Sequence, residues 1–140
     1  MRLIKTTLLC LMSTILSPAF AEEKFQIKSV TTPKMTRSHL CSALGGSEQT
    51  IPVVIKHSKI AGRSINVQML DDVSSGNVVN HRSTSVTSEA SGTTVVNYGF
   101  LPPCNKTGRS TSNYSFVVSE GEYSTKKLFG RYDSTSGRIF

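Results

Sequence analysis

Alternation of apolar and polar residues is the feature that most limits how this chain can fold. In Ser64–Met69 every second residue is apolar, and the same pattern recurs in Thr94–Phe100 and Tyr114–Val118. Such alternation gives a strand one buried face, whereas no segment after residue 21 shows a sustained helical period. The residues expected to face inward are Ile65, Val67, Met69, Val96, Tyr98, Phe100, Tyr114, Phe116 and Val118. The sequence therefore predicts an all-β fold.

Four further segments have the composition of strands and complete the predicted set. They are Phe25–Val30, Pro52–Lys56, the more polar Asn77–Val86, which suits a sheet edge, and Lys127–Tyr132. Turns rich in Gly, Asn, Asp and Ser separate the strands at short intervals. This arrangement is typical of a β-sandwich, and we expect a single immunoglobulin-like or related sandwich of about seven strands.

Residues 1–21 have the three parts of a secretory signal peptide. Arg2 and Lys5 precede an apolar run, and a small-x-small cleavage site ends at Ala21. The apolar run is shorter than the roughly 20 residues that cross a bilayer. We expect cleavage after Ala21 and a periplasmic or secreted domain at 22–140 that has no transmembrane segment.

Two cysteines, Cys41 and Cys104, remain after this cleavage. In an oxidising compartment two cysteines most simply form one disulfide. A metal site or a catalytic thiol has less support, because neither cysteine belongs to a CxxC motif and no histidine follows at zinc-finger spacing. The predicted bond would join two long irregular segments, Thr31–Thr50 and Leu101–Ser112.

The charge of the chain is positive but dispersed. Loss of Arg2 and Lys5 with the signal peptide lowers the formal net charge from +7 to +5. No run of lysine or arginine exceeds two residues, which is typical of a solvated surface with a mild preference for anionic partners. Because the sequence has no aromatic–basic motif, nucleic acid is not an expected partner.

The sequence has no convincing catalytic or metal-binding motif. The G-x-S-x-G elbow is absent, and His39, His57 and His81 are too far apart for a local metal motif. We therefore predict a protein that is not an enzyme and that uses neither a metal nor a cofactor. Asp71 and Asp72 are interpreted as part of a turn, with a calcium or anion site as the alternative, although EF-hand spacing is lacking.

One order of features along the chain is more specific than its parts. It comprises Phe25–Ile27, Ser38-His39, Cys41, Gly45-Gly46, a strand led by Pro52, Ala61–Ser64, Asp71, His81, Asn97–Gly99, Pro102–Cys104 and a strand from Tyr114. This order resembles the bacterial phosphatidylethanolamine-binding protein family. The resemblance implies an anion pocket, for which Asp71 and His81 are the counterparts present. Asp71-Asp72 stands in place of the family's Asp-Pro-Asp, and Ser112 in place of a histidine.

Two hypotheses for function follow from these observations. The first is an exported, non-enzymatic binding domain that uses the loops around Cys104, where Lys106 and Arg109 offer positive charge to an anionic ligand or an envelope or extracellular protein. The alternative is a structural or accessory subunit of a surface assembly that pairs through an edge strand, either Phe25–Val30 or Leu128–Tyr132. The apolar C-terminus at Arg138–Phe140 is expected to dock on a surface.

Overall fold

Strands form where the alternation predicts them. The computed structural model describes residues 23–72, 78–104 and 111–140, apart from the side chains of 78–81, and the predicted signal peptide lies outside these ranges. The strands, with one 3-10 turn at Ser42–Leu44, are β1 (Ile27–Thr31), β2 (Gln49–His57), β3 (Ser64–Asp72), β4 (Val78–Thr87), β5 (Thr93–Phe100), β6 (Thr111–Glu120), β7 (Tyr123–Asp133) and β8 (Arg138–Ile139).

These strands form two antiparallel sheets. One sheet has the order β1-β2-β5 and the other has the order β4-β3-β6-β7-β8. The prediction of an immunoglobulin-like or related β-sandwich is confirmed, and β4 lies at a sheet edge as expected. The strand β8 was not predicted, because its two residues are too few to show a period. No helix in the described ranges has the length and apolar character that crossing a membrane requires.

The core lies between the two sheets, and all nine residues predicted to face inward are buried. Phe116 of β6 is fully buried at the centre of an aromatic group. Its ring meets Tyr98 of β5 edge-to-face at a centroid distance of 5.1 Å, and Phe129 of β7 at 5.3 Å. Because Tyr98 belongs to one sheet and Phe116 to the other, this contact joins the two layers.

Pro52 shows how the first sheet accommodates a residue that cannot donate a backbone hydrogen bond. Pro52 lies in the central strand β2, a position that proline normally avoids. The pairing of β1 with β2 stops at Thr31, which lies opposite Val54. Pro52 is therefore beyond the end of β1, and no ladder bond is lost.

The loops gather at the two ends of the sandwich. We call the end that holds the β1–β2 loop, the β5–β6 loop and the β7–β8 hairpin the disulfide end, because Cys41 and Cys104 lie there. The opposite end holds the turns between β2 and β3, between β4 and β5, and between β6 and β7.

Candidate functional site

The predicted disulfide is present and anchors the disulfide end. Cys41 and Cys104 are bonded, with their Cα atoms 5.3 Å apart and a sequence separation of 63. Cys41 is fully buried. The bond ties the loop that follows β1 to the loop that follows β5, so two long segments are fixed to each other.

A tight turn after Cys41 folds the first of these loops back on itself. The backbone N–H groups of Leu44 and Gly46 each donate to the Cys41 carbonyl at 3.0 Å. A side chain at position 46 would overlap the backbone carbonyl of Leu40. Glycine is therefore required here, because the two stretches of backbone approach too closely for a Cβ atom.

The C-terminal hairpin packs on the same loop. The Leu40 N–H donates to the Gly137 carbonyl at 2.9 Å, and the Ile139 N–H donates to the Arg37 carbonyl at 2.9 Å. Ile139 is fully buried, and Arg131 and Phe140 exchange two backbone hydrogen bonds. The C-terminus thus docks on the protein's own sheet.

This packing places two arginines beside each other at the disulfide end. Arg37 and Arg138, with Thr36 and Ser38, line a recess of about 220 Å³ that we call the basic recess. Arg37 also borders a neighbouring depression of about 490 Å³ formed by residues 33–37. All four side chains of the basic recess are exposed and accessible to a ligand.

The charges of the basic recess are not neutralised by carboxylates. Arg37 Nη1 donates to the amide oxygen of Gln49 at 2.7 Å, and the Arg138 guanidinium lies 5.7 Å from the centre of the Phe140 ring. The ion pairs found among the described residues involve Arg63, Arg82 and Lys126 instead. Within the described ranges neither Arg37 nor Arg138 forms an ion pair with an acidic residue, which leaves the recess positive.

Asp133, a carboxylate on the same hairpin, has another role. Asp133 lies opposite Arg138 in the β7–β8 ladder, and it accepts a hydrogen bond from the Thr135 N–H at 2.9 Å. This hydrogen bond, followed by weaker contributions from Ser136, lowers the pKa of Asp133. Asp133 therefore stabilises the turn between β7 and β8.

The chemistry of the basic recess suits an oxyanion. A guanidinium presents a planar set of donors that matches a carboxylate, phosphate or sulfate group. The hydroxyl groups of Thr36 and Ser38 add donors on the same side. A negatively charged group bound here would also relieve the repulsion between Arg37 and Arg138.

The predicted site residues are not all brought together at this recess. Asp71 lies in β3, opposite Tyr114 of β6, and the Tyr114 hydroxyl is hydrogen-bonded to Asp71. His81 lies in β4, two positions beyond Val79, the residue paired with Asp71. Lys106 and Arg109 fall outside the described residues.

Asp71 belongs to a buried tyrosine cluster. The rings of Tyr114 and Tyr132 are 4.8 Å apart, and the Tyr132 hydroxyl donates to the Pro103 carbonyl at 2.9 Å, next to Cys104. Burial is the largest cause that raises the pKa of Tyr114, and the Asp71 charge adds to it. Burial likewise raises the pKa of Tyr132 to about 12, with contributions from Asp133 and Asp71.

These raised pKa values predict a loss of stability at alkaline pH. In the unfolded chain a tyrosine ionises near pH 10, whereas folded Tyr132 stays protonated to about 12. The folded state then holds a proton that the unfolded chain has lost. The stabilisation is complete below pH 10 and disappears as the pH rises through the folded value.

Urea unfolding at several pH values between about 9 and 12 measures this effect. We expect the free energy of unfolding to fall with pH, and to fall less steeply in Tyr132→Phe, which has no phenol to ionise at that position. Equal slopes in the wild-type protein and in Tyr132→Phe would show that Tyr132 does not cause the alkaline loss.

His57, one of the three histidines, has a structural role. It is buried at the end of β2, where its Nδ1 lies 2.6 Å from the Ser58 carbonyl and its Nε2 lies 2.7 Å from the Thr94 hydroxyl. A carbonyl can only accept, so the proton resides on Nδ1 and Thr94 donates to Nε2. Thr94 in turn accepts from the Glu89 N–H at 3.0 Å. Among the described residues, no three of His, Cys, Asp and Glu cluster as metal ligands.

A cleft at the opposite end of the sandwich has compensated charges. It measures about 410 Å³, and its lining includes two basic and two acidic residues, Lys24, Arg63, Glu120 and Glu122. Arg63 donates from Nε and Nη2 to Glu120 Oε1, each at 2.8 Å. Since Glu120 is largely buried and satisfied by this arginine, the cleft has a weaker attraction for an anion than the basic recess.

Arg37 and Arg138 were not identified as site residues from the sequence. They are separated by about a hundred positions and occur in no motif. The only sequence signal near them was the predicted docking of Arg138–Phe140, which did not reveal its target.

Comparisons with protein-family models, with curated proteins and with solved structures found no match for this chain. The resemblance to the phosphatidylethanolamine-binding protein family therefore stays a prediction.

Proposed function

We propose that this protein is an exported, non-enzymatic binding domain of the periplasm or the extracellular space that recognises an anionic group. The observation that carries the proposal is the basic recess, which Arg37 and Arg138 line together and where neither forms an ion pair with any acidic residue that the structure describes. The ligand class is a carboxylate, phosphate or sulfate carried by a lipid, a polysaccharide or an envelope protein.

The fold supports this proposal because it holds the recess in place. Loops at one end of an immunoglobulin-like sandwich are a common site of recognition, since a rigid scaffold positions them. Here the Cys41–Cys104 bond and the β7–β8 hairpin both fix the loop that carries Arg37. A recess fixed before binding loses less conformational entropy when the ligand arrives.

Lys106 and Arg109 remain predicted contributors of charge. They follow Cys104 by two and five positions, and Cys104 is bonded to Cys41 at the disulfide end. In this proposal they extend the positive surface around the basic recess, and Lys106→Ala with Arg109→Ala should weaken ligand binding further.

Binding of anionic polymers and membranes tests the proposal. We expect the protein to bind dextran sulfate but not dextran, and phosphatidylglycerol vesicles more than phosphatidylcholine vesicles. Selective binding to dextran sulfate would identify a polysaccharide as the carrier of the anionic group, and selective binding to phosphatidylglycerol vesicles would identify a lipid. Replacing Arg37 or Arg138 with Gln should weaken binding about tenfold each, the effect of losing one charge-assisted contact. Isothermal titration calorimetry at low salt measures these affinities.

A charge-matched variant separates the recess from net charge. Lys28→Gln with Arg131→Gln removes two exposed positive charges that do not line the basic recess. This control should bind nearly as well as the wild-type protein, while Arg37→Gln with Arg138→Gln loses most of its affinity. Equal losses of affinity in the two double variants would show that binding depends on overall charge, and would contradict the assignment of the basic recess as the site.

A further inference from the structure

The edge strand β5 differs from the other strands that border the sheets. Besides β5, the sheets are bordered by β1, by β4 and by β7, of which β8 pairs only with Tyr132 and Asp133. β1, β4 and β7 each carry a charged residue and a break in register, which are two devices that discourage edge-to-edge pairing. β5 spans Thr93–Phe100 without a charged residue, without a proline and with unbroken register against β2. It is an unprotected edge.

The hydrogen bonds of β2 show which groups of β5 face outward. The His57 N–H donates to the Gly92 carbonyl, so the odd-numbered residues of β2 bond toward β5. In an antiparallel ladder the bonded pairs alternate, and Val96 opposite Val53 is one of them. The N–H and C=O groups of Val95, Asn97 and Gly99 therefore point away from β2.

Part of this edge is already covered and part is open. The Ser91 hydroxyl bonds to the N–H and the carbonyl of Thr93, which satisfies one end. At the other end the Arg82–Glu48 ion pair crosses Gly99. Between them, in the part of the chain that the structure describes, no hydrogen bond engages the backbone groups of Val95 and Asn97, and Val95 is 49% exposed.

We propose that a second copy of this chain pairs its β5 with this edge in antiparallel register. Val95 lies opposite Asn97 of the second copy, and these two residues donate a backbone hydrogen bond to each other. By symmetry, Asn97 and Val95 of the second copy form the same pair. The contact is a two-fold interface that joins two three-stranded sheets into one. This inference is independent of the basic recess.

Charge and shape favour a second copy as the occupant. The pairing brings the Thr93 end of one strand against the Gly99 end of the other. Lys56, which lies opposite Thr93 on β2, then shares the outer face with Glu48 of the second copy, which lies over its Gly99. The strand β5 that forms the contact has no charged residue, and the Arg82–Glu48 pair beside Gly99 combines one positive and one negative charge, so two positively charged chains can meet there without direct repulsion.

The strand contact is short, so we expect a reversible dimer. Stable interfaces bury about 1,200–2,000 Å², more than a single pair of short strands provides. Sedimentation of the mature, disulfide-bonded protein should therefore show a monomer at low concentration and a dimer as the concentration rises toward about 1 mM. At high concentration the amides of Val95 and Asn97 should exchange with solvent more slowly.

Two variants locate the contact without disturbing the core. Val95→Lys with Asn97→Lys places like charges opposite each other at both pairs and should weaken the dimer at least tenfold. The matched control, Val95→Thr with Asn97→Thr, keeps an uncharged strand and should still dimerise. Both positions face solvent, so both variants should retain the wild-type fold.

Three results would overturn the proposal. One is a protein that stays monomeric at every concentration up to about 1 mM. This result counts against the proposal even if the monomer binds an added extended peptide at β5. Another is a dimer whose slowed amide exchange falls on β1 or β7 instead of Val95 and Asn97. The third is equal dimerisation by the lysine and threonine variants.

Discussion

Loss of the Cys41–Cys104 disulfide lowers the free energy of unfolding by about 4 kcal/mol, the chain-entropy estimate for a bond that closes a loop of this length. The effect is large because the bond spans more than half of residues 22–140, and the whole stability of a domain of this size is about 5–15 kcal/mol. Cys41 is also fully buried, so a variant with alanine at this position loses packed contacts around the sulfur as well.

Urea unfolding of Cys41→Ala with Cys104→Ala, compared with the wild-type protein, measures this loss. Reduced wild-type protein is the matched control, because it keeps both sulfur atoms and loses only the covalent bond. We expect both to be destabilised, with the alanine variant affected more. A loss below about 1 kcal/mol in both would mean that the tether contributes little, since typical values are 2–4 kcal/mol.

Phe116→Ala should cost about 3–5 kcal/mol, the usual price of removing a buried aromatic ring. Phe116 is fully buried and its ring contacts Tyr98 across the sheets and Phe129 within its own. The variant leaves a cavity between the two layers, at a point where the surrounding strands cannot collapse without breaking their ladders.

Thermal and urea unfolding of Phe116→Ala and of Val117→Ala test this assignment side by side. Val117 is the next residue in β6 and points to the outer face, where it is half-buried. We expect Val117→Ala to lose much less stability than Phe116→Ala. Similar losses in the two variants would contradict the assignment of the two faces of β6.

The strands and their buried faces could be predicted because they depend on local alternation. In Ser64–Met69 the period of two fixes which side chains face the core, whatever the rest of the chain does. The disulfide could be predicted for a different reason: without the predicted signal peptide, which contains Cys10, the two remaining cysteines have only one intramolecular pairing available.

The basic recess could not be predicted because it depends on contacts between distant parts of the chain. Arg37 and Arg138 become neighbours only because the loop after β1 pairs with a two-residue strand near the C-terminus. Neither segment has an alternation of apolar and polar residues that would predict this pairing. His57 is similar, since only the fold brings Thr94 to its Nε2 atom.

The disulfide and the basic recess form one structural unit. The loop that carries Arg37 is held by the bond at Cys41 and by the backbone hydrogen bonds that Leu40 and Arg37 make with the C-terminal hairpin. Reduction should therefore weaken anion binding even at temperatures where the sandwich stays folded, because the recess is then less well ordered before the ligand arrives.

Amide chemical shifts measured by NMR during a titration with inorganic phosphate test the central claim most directly. If the basic recess recognises an anionic group, the largest and saturable shifts fall on Thr36, Arg37, Ser38 and Arg138. Shifts of equal size over all exposed lysines and arginines, or a maximum at Lys24 and Arg63 in the opposite cleft, would contradict it.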